Sequence, residues 1–159
     1  MIVKYKAELD AARHPVLVRE QSYEYETATL NSPGKIVAMM NECFHLSDMA
    51  EEYVYMLALN AAAAPVGVFE VSHGCVNYAL IKPRELYIRA LLAGAIGIVV
   101  VHNHTSGEVV PSREDISACA GMKAAGDMIG ITFFDFIITG KGKYLSFHEE
   151  GMLERDKLE

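Results

Sequence analysis

Cysteine is scarce in this sequence, and its arrangement argues against two common classes of small protein. The three cysteines, Cys43, Cys75 and Cys119, are odd in number and have no C-x-x-C spacing. Neither a disulfide framework nor a thiolate zinc site is therefore expected. The chain also lacks any stretch of about 18 apolar residues that could span a membrane, and no apolar signal core follows its first residue. These absences predict a cytoplasmic protein with reduced thiols and no membrane association.

Basic residues are also in deficit. There are 14 lysines and arginines against 21 aspartates and glutamates, which gives a formal net charge of -7. Nonspecific binding to nucleic acid depends on clustered basic side chains that neutralise phosphates. Nucleic acid is therefore not expected to be the main partner, although the net charge alone does not exclude a local basic patch.

The length and composition predict one globular domain. The chain has 159 residues, of which 52% are hydrophobic and 22% charged, and it contains no internal repeat or low-complexity segment. Residues 1–31 are rich in β-forming residues and predict an N-terminal extension with a pair of strands. Residues 32–150 form the predicted main domain, and residues 151–159 a charged C-terminal tail.

Helical and strand patterns alternate along the main domain. Ser32 and Pro33 predict the N-cap and first residue of a helix, and the β-branched apolar run at 97–101 predicts a central strand covered on both faces. The alternation indicates an α/β fold, a single domain with a mixed β-sheet flanked by helices. Further helices are predicted over 82–96 and 112–130, and strands over 52–60, 66–74, 97–104, 131–139 and 143–150.

Two histidines stand where the predicted central strand ends. His102 and His104 are two residues apart, so on an extended backbone their imidazoles face the same side. Asp115 follows a polar loop and lies in the first turn of the next predicted helix. Two imidazoles and one carboxylate leave a fourth tetrahedral position for water, which is the ligand count of a catalytic zinc site. The predicted zinc ligands are therefore His102, His104 and Asp115.

Each part of this pattern also has a simpler interpretation. Ser112 and Asp115, taken alone, are typical of a capping box at a helix start. A single histidine at a strand end is often a hydrogen-bonded core residue. Cys119, one helical turn after Asp115, could approach the metal but is interpreted as a small buried thiol. The joint pattern favours the metal site, and the backbone of Ser112 could begin a helix while its hydroxyl faces the cavity.

The same residues resemble a known family. H-N-H-x-S-G followed by P-S-x-x-D is similar to the RadC family of the JAMM (also called MPN or JAB) metalloprotease-like superfamily, and the similarity covers residues 32–148. The resemblance implies a mixed sheet flanked by helices, with zinc held by the two histidines and Asp115. It also implies an upstream glutamate as general base. Glu52 matches best, and Glu51 and Glu70 are the alternatives.

The sequence departs from the family pattern in three places. Thr105 replaces the usual proline after the second histidine, which predicts a looser loop. Phe136 replaces a histidine that is common in the late strand, so no imidazole acts there. Full-length relatives often carry an N-terminal helical region that resembles a DNA-binding module, whereas this chain begins almost directly at the catalytic domain. That difference is expected to weaken an interpretation as a DNA-repair protein.

The resemblance and the residues together predict a zinc-dependent hydrolase that cleaves a peptide or isopeptide bond in a peptide or protein substrate. Glu52 is expected to take a proton from a zinc-activated water, and Ser112 to donate a hydrogen bond to the developing oxyanion. The alternatives are a DNA-repair-associated accessory protein and an inactive binding module, each with a largely structural zinc. The sequence predicts neither the substrate nor the oligomeric state.

Overall fold

The computed structural model of the chain describes residues 1–26, 29–74 and 82–153. None of the helices in these ranges is long and apolar enough to cross a membrane. The elements are β1 (Ile2–Leu9), β2 (Pro15–Tyr23), α1 (Pro33–Phe44), a short 3-10 helix (Leu46–Asp48), β3 (Glu52–Leu59), β4 (Pro65–Gly74), α2 (Pro83–Leu92), β5 (Gly97–Asn103), α3 (Arg113–Ile129), β6 (Thr132–Gly140) and β7 (Lys143–Ser146).

The strands form one mixed sheet in the order β2-β1-β4-β3-β5-β6-β7. The pairs β1–β4 and β5–β6 are parallel, and the other neighbours are antiparallel. The predicted fold class, a single α/β domain with a mixed sheet flanked by helices, is therefore confirmed. The strand pair predicted within residues 1–31 extends this same sheet through β1. The domain boundaries at residues 31 and 150 stay predictions, and residues 154–159 of the predicted tail lie outside the described residues.

The sheet buries apolar side chains on both faces. Every residue of β5 is buried, as its continuous apolar sequence predicts. On one face, Met39 and Met40 of α1 contribute to one core cluster, and on the other, Leu86 of α2 and Met122 of α3 contribute to a second. Removal of this apolar surface from water is the main force that holds the layers together. The burial extends to the end of β5, beside the two histidines.

Two elements end four residues earlier than the sequence predicts. Helix α2 stops at Leu92 rather than at residue 96, because Gly94 adopts a left-handed backbone conformation (φ 65°). Strand β7 stops at Ser146 rather than at residue 150. Here the buried carboxylate of Asp135 accepts hydrogen bonds from the Ser146 hydroxyl (2.5 Å) and the His148 amide (2.9 Å), and the chain turns. Both corrections affect only the ends of predicted elements.

Candidate metal centre

The three predicted ligands lie together at the end of β5. His102 is the second-last residue of β5, His104 follows the strand, and Asp115 is in the first turn of α3. One possible ligand atom from each residue lies within 4.8 Å of the others. Nε2 of His104 is 3.2 Å from Oδ2 of Asp115, and Nε2 of His102 is 3.7 Å from Oδ1. This group could bind a metal ion.

Backbone carbonyls fix the orientation of both imidazoles. Nδ1 of His102 is 2.9 Å from the carbonyl oxygen of Tyr53, and Nδ1 of His104 is 3.1 Å from that of Glu108. Because a carbonyl oxygen only accepts, each Nδ1 must carry the hydrogen and donate it. In the neutral ring, Nε2 then has a free lone pair that points toward Asp115. Such contacts to the far nitrogen are typical of metal-ligating histidines.

The electrostatics of the group favour a positive charge at its centre. Burial lowers the pKa of His102 and so keeps this imidazole neutral. The hydrogen bond with Asp115 raises the pKa of His104. Burial alone would raise the pKa of Asp115, but hydrogen bonds from His104 and Ser112 lower it overall, so the carboxylate stays ionised. The ionised carboxylate thus faces two imidazole nitrogens at a distance at which a cation between them would be stabilised.

Ser112 and Asp115 form a capping box at the start of α3. The Ser112 hydroxyl oxygen accepts the Asp115 amide hydrogen (3.0 Å) and donates to Oδ2 of Asp115 (2.9 Å). The Ser112 amide donates to the same oxygen (2.8 Å). The capping interpretation and the ligand interpretation of Asp115 are thus compatible. The Ser112 hydroxyl must rotate away from Asp115 before it can donate elsewhere, so its oxyanion role stays a prediction.

The structure places one of the three candidate glutamates beside the predicted ligands. Glu52 is 7% exposed, and its Oε2 lies 3.8 Å from Nε2 of His102. Glu51 is exposed and faces His73 at 3.6 Å. Glu70 pairs with Lys4 at 3.1 Å. Position therefore favours Glu52 over its two alternatives, whereas its action as a base stays a prediction.

The other singled-out residues lie in the core or in the loop. Cys119 is buried in the core cluster on the α3 face, and the ligand group does not include it. Phe136 is fully buried and its ring packs against Phe147, with ring centres 4.9 Å apart. Thr105 lies in the turn after β5, half-buried. Cys75 lies outside the described residues.

Sequence reasoning missed two features that shape the site. Asn103 has no exposed surface, and its side-chain amide forms hydrogen bonds with the backbone on either side of Glu52. Its position between the two histidines was the available signal. The second feature is a close approach of Gly140 to Gly107, in the loop that follows His104. A Cβ at Gly140 would lie 2.2 Å from the Gly107 carbonyl oxygen. Nothing local in the sequence pairs these two glycines.

Gly140→Ala is expected to displace the loop after His104 and so weaken both stability and metal binding. The added methyl group cannot share space with the Gly107 carbonyl, so the backbone must move. Overpacking of this kind costs about 1 to 3 kcal/mol in the free energy of unfolding. Thermal unfolding and metal content measure the two effects. Gly121→Ala is the control, because its Cβ would meet only Pro83 at 3.9 Å; equal behaviour of both variants would contradict the prediction.

The fold and the site define an α/β protein with a candidate metal centre at the end of a central strand. Residues 30–152 match the family described as RadC-like JAB domain, and the chain belongs to this family. The resemblance inferred from the HNH and P-S-x-x-D residues is confirmed.

Several curated proteins are similar to this chain. A UPF0758 protein of Geotalea uraniireducens is 34% identical over 148 residues, which is 93% of this chain and 62% of that protein. A UPF0758 protein of Pelobacter propionicus is 38% identical over 110 residues, 69% of this chain and 48% of that protein. One of Clostridium acetobutylicum is 33% identical over 129 residues, 81% of this chain and 56% of that protein. The chain thus spans between 48% and 62% of the length of these relatives.

Proposed function

We propose that the protein is a zinc-dependent hydrolase of the JAMM type that cleaves a peptide or isopeptide bond. The supporting observation is the convergence of His102, His104 and Asp115, with the buried Glu52 beside His102. Membership of the RadC-like JAB family supports the same proposal. We place the activity in the cytoplasm because the three cysteines, an odd number, do not suggest a disulfide framework and are interpreted as reduced thiols.

The donor set fits zinc. Imidazole nitrogens and a carboxylate oxygen are common zinc ligands, and three protein ligands leave one position for water or substrate. Zinc bound by His102, His104 and Asp115 would act as a Lewis acid and lower the pKa of a coordinated water to about 7. A structural zinc site has four protein ligands. The group in the described part of the chain has three residues, so it does not support a structural site.

Side chains of the protein would transfer the proton of the attacking water and stabilise the negative charge that develops on the substrate. Glu52, held beside His102, would accept a proton from the attacking water and pass it to the leaving amine. Burial of Glu52 limits competition from bulk solvent. Ser112 would donate to the developing oxyanion once its hydroxyl rotates away from Asp115. The carbonyls of Tyr53 and Glu108 would keep both imidazoles in one orientation throughout.

A screen with zinc-loaded protein tests the proposed activity. A peptide library is incubated with the protein, and products are identified by mass spectrometry. Cleavage that stops when a chelator removes the metal, and returns when zinc is added, would support the proposal. Cleavage indifferent to the chelator would contradict a metal-dependent mechanism. No cleavage by a zinc-loaded, folded protein would favour the alternative of a partner-binding module with a structural metal.

Duplex DNA is expected to bind this chain weakly at physiological salt. The net charge of -7 opposes binding to phosphates. Nonspecific affinities of DNA-binding proteins are on the order of 10⁻⁴ to 10⁻⁶ M. A fluorescence anisotropy titration at several salt concentrations measures both affinity and salt slope. A submicromolar dissociation constant at about 150 mM salt, with a steep slope, would favour the nucleic-acid-associated alternative over the hydrolase.

A further inference from the structure

The backbone around Glu52 is attached to β5 by side chains rather than by main-chain pairing. The pairing of β3 with β5 begins at Val54, opposite His102. Strand β3 extends two residues further, through Tyr53 and Glu52, beyond this last pair. Beyond this pair, the side-chain amide of Asn103 forms hydrogen bonds to the backbone of residues 51–53. Its Oδ1 accepts the Tyr53 amide hydrogen at 2.6 Å, and its Nδ2 donates to the Glu51 carbonyl oxygen at 3.0 Å.

These two hydrogen bonds hold both peptide units of Glu52. The Glu51 carbonyl belongs to the peptide before Glu52, and the Tyr53 amide belongs to the peptide after it. The contact needs one donor and one acceptor in a planar group, which a carboxamide supplies and a carboxylate does not. Asn103 has no exposed surface, so water does not compete for either bond.

The same segment of backbone also orients a ligand. The carbonyl of Tyr53 accepts the hydrogen bond from Nδ1 of His102, whereas its amide donates to Asn103. On the opposite side, β4 pairs with Glu52 through Gly74. The carboxylate of Glu52 and the imidazole of His102 are therefore both connected to the backbone of residues 51–53, and we expect the 3.8 Å between them to depend on how that segment is held.

We propose that Asn103 is a positioning residue that holds the Glu52 carboxylate against the His102–His104–Asp115 group. This inference rests on the proposed function in that Glu52 acts at the metal centre. The hydrogen bonds of the Asn103 side chain go to the backbone on either side of Glu52 and not to the candidate ligand atoms. The effect of Asn103 passes through the backbone of residues 51–53. The middle residue of the HNH tripeptide is thus part of the site's construction.

Amide hydrogen exchange of the metal-free protein tests the attachment directly. Asn103→Ala is expected to accelerate exchange at Tyr53 by about tenfold or more, because that amide loses its acceptor. The matched control is Asn60→Ala. Asn60 is half-buried and also accepts two backbone amides, those of Ala62 (2.9 Å) and Ala64 (3.0 Å), in the loop between β3 and β4. Unchanged exchange at Tyr53 in Asn103→Ala, or equal acceleration by the control, would overturn the proposal.

A double-mutant cycle on zinc affinity tests the consequence for Glu52. The dissociation constant is measured by chelator competition in the unmutated protein, Glu52→Gln, Asn103→Ala and the double variant. Loss of the nearby carboxylate charge is expected to weaken zinc binding by about tenfold in the unmutated background. If Asn103 positions Glu52, the same change costs less than about threefold in Asn103→Ala. Equal effects in both backgrounds would overturn the proposal, and the cycle with Asn60→Ala should show no coupling.

A substitute variant and the metal-free experiment separate failure of this inference from misfolding and from failure of the proposed function. Should Asn103→Ala not fold, Asn103→Asp serves instead, because it keeps the volume and the acceptor for Tyr53 but loses the donor to Glu51. It is then expected to show the same reduced coupling to Glu52. Absence of zinc binding by the unmutated protein would contradict the proposed function. The exchange experiment on metal-free protein would still decide whether Asn103 holds the Glu52 backbone.

Discussion

His104→Ala and Asp115→Ala are each expected to purify with far less than one zinc per chain, whereas the unmutated protein retains close to one. Each variant removes one of three converging ligand atoms. In Asp115→Ala, the imidazole of His104 also loses the carboxylate that raises its pKa. Two remaining ligands cannot complete a site with three protein ligands and one water. Elemental analysis of protein purified without chelator gives the stoichiometry.

The controls for this prediction separate loss of metal from loss of structure. His73→Ala removes an exposed histidine that contacts Glu51 and Glu70, and it should leave zinc content unchanged. Asp115→Asn retains a side-chain oxygen that can accept the Ser112 amide, so it preserves part of the helix cap while removing the charge. Thermal unfolding of metal-free Asp115→Ala and Asp115→Asn shows how much stability the Ser112–Asp115 cap contributes. Full zinc retention in both His104→Ala and Asp115→Ala would reject the ligand assignment.

Local sequence patterns were sufficient to predict the fold class and to select the candidate ligands His102, His104 and Asp115, which the structure brings together. The alternation of strands and helices indicated the mixed sheet, and the two-residue period of a strand placed His102 and His104 on one side. The Ser112–Asp115 spacing marked the start of α3. These signals depend on neighbours within a few residues, which the sequence displays directly. The structure shows that helix capping and a position beside the histidines are combined in Asp115.

The family resemblance favoured Glu52 among the glutamates, whereas the physical reason for its position is the register of strand pairing, which no local pattern contains. Val54 lies opposite His102, so the alternation along β3 places Glu52 on the histidine side. Asn103 escaped notice for a related reason, since its partners are 50 and 52 residues earlier in the chain. The early end of β7 likewise depends on Asp135, 11 residues before Ser146. Contacts of this kind join segments that are distant in the chain and form only in the assembled sheet, so local sequence patterns do not predict them.

Glu52→Gln is expected to fold, keep its zinc at saturating concentrations, and lose roughly 10²- to 10⁴-fold in turnover. Glutamine preserves the shape of the side chain and can still form hydrogen bonds, but its amide cannot take a proton from the attacking water. The three ligands and the backbone contacts of residues 51–53 are unaltered by this change. Turnover of a peptide found in the library screen, measured with stoichiometric zinc, isolates the proton-transfer step from metal loss.

Glu51→Gln is the matched control for this variant, since it makes the same substitution one residue earlier on an exposed side chain that faces His73. It should retain turnover close to the unmutated value. Ser112→Ala is a less specific comparison, because it removes the proposed oxyanion donor together with a helix cap worth about 1 kcal/mol. Undiminished turnover in Glu52→Gln would remove Glu52 from the mechanism. A large loss in Glu51→Gln alone would assign the base to that neighbour, and loss in neither would direct the search to Glu70.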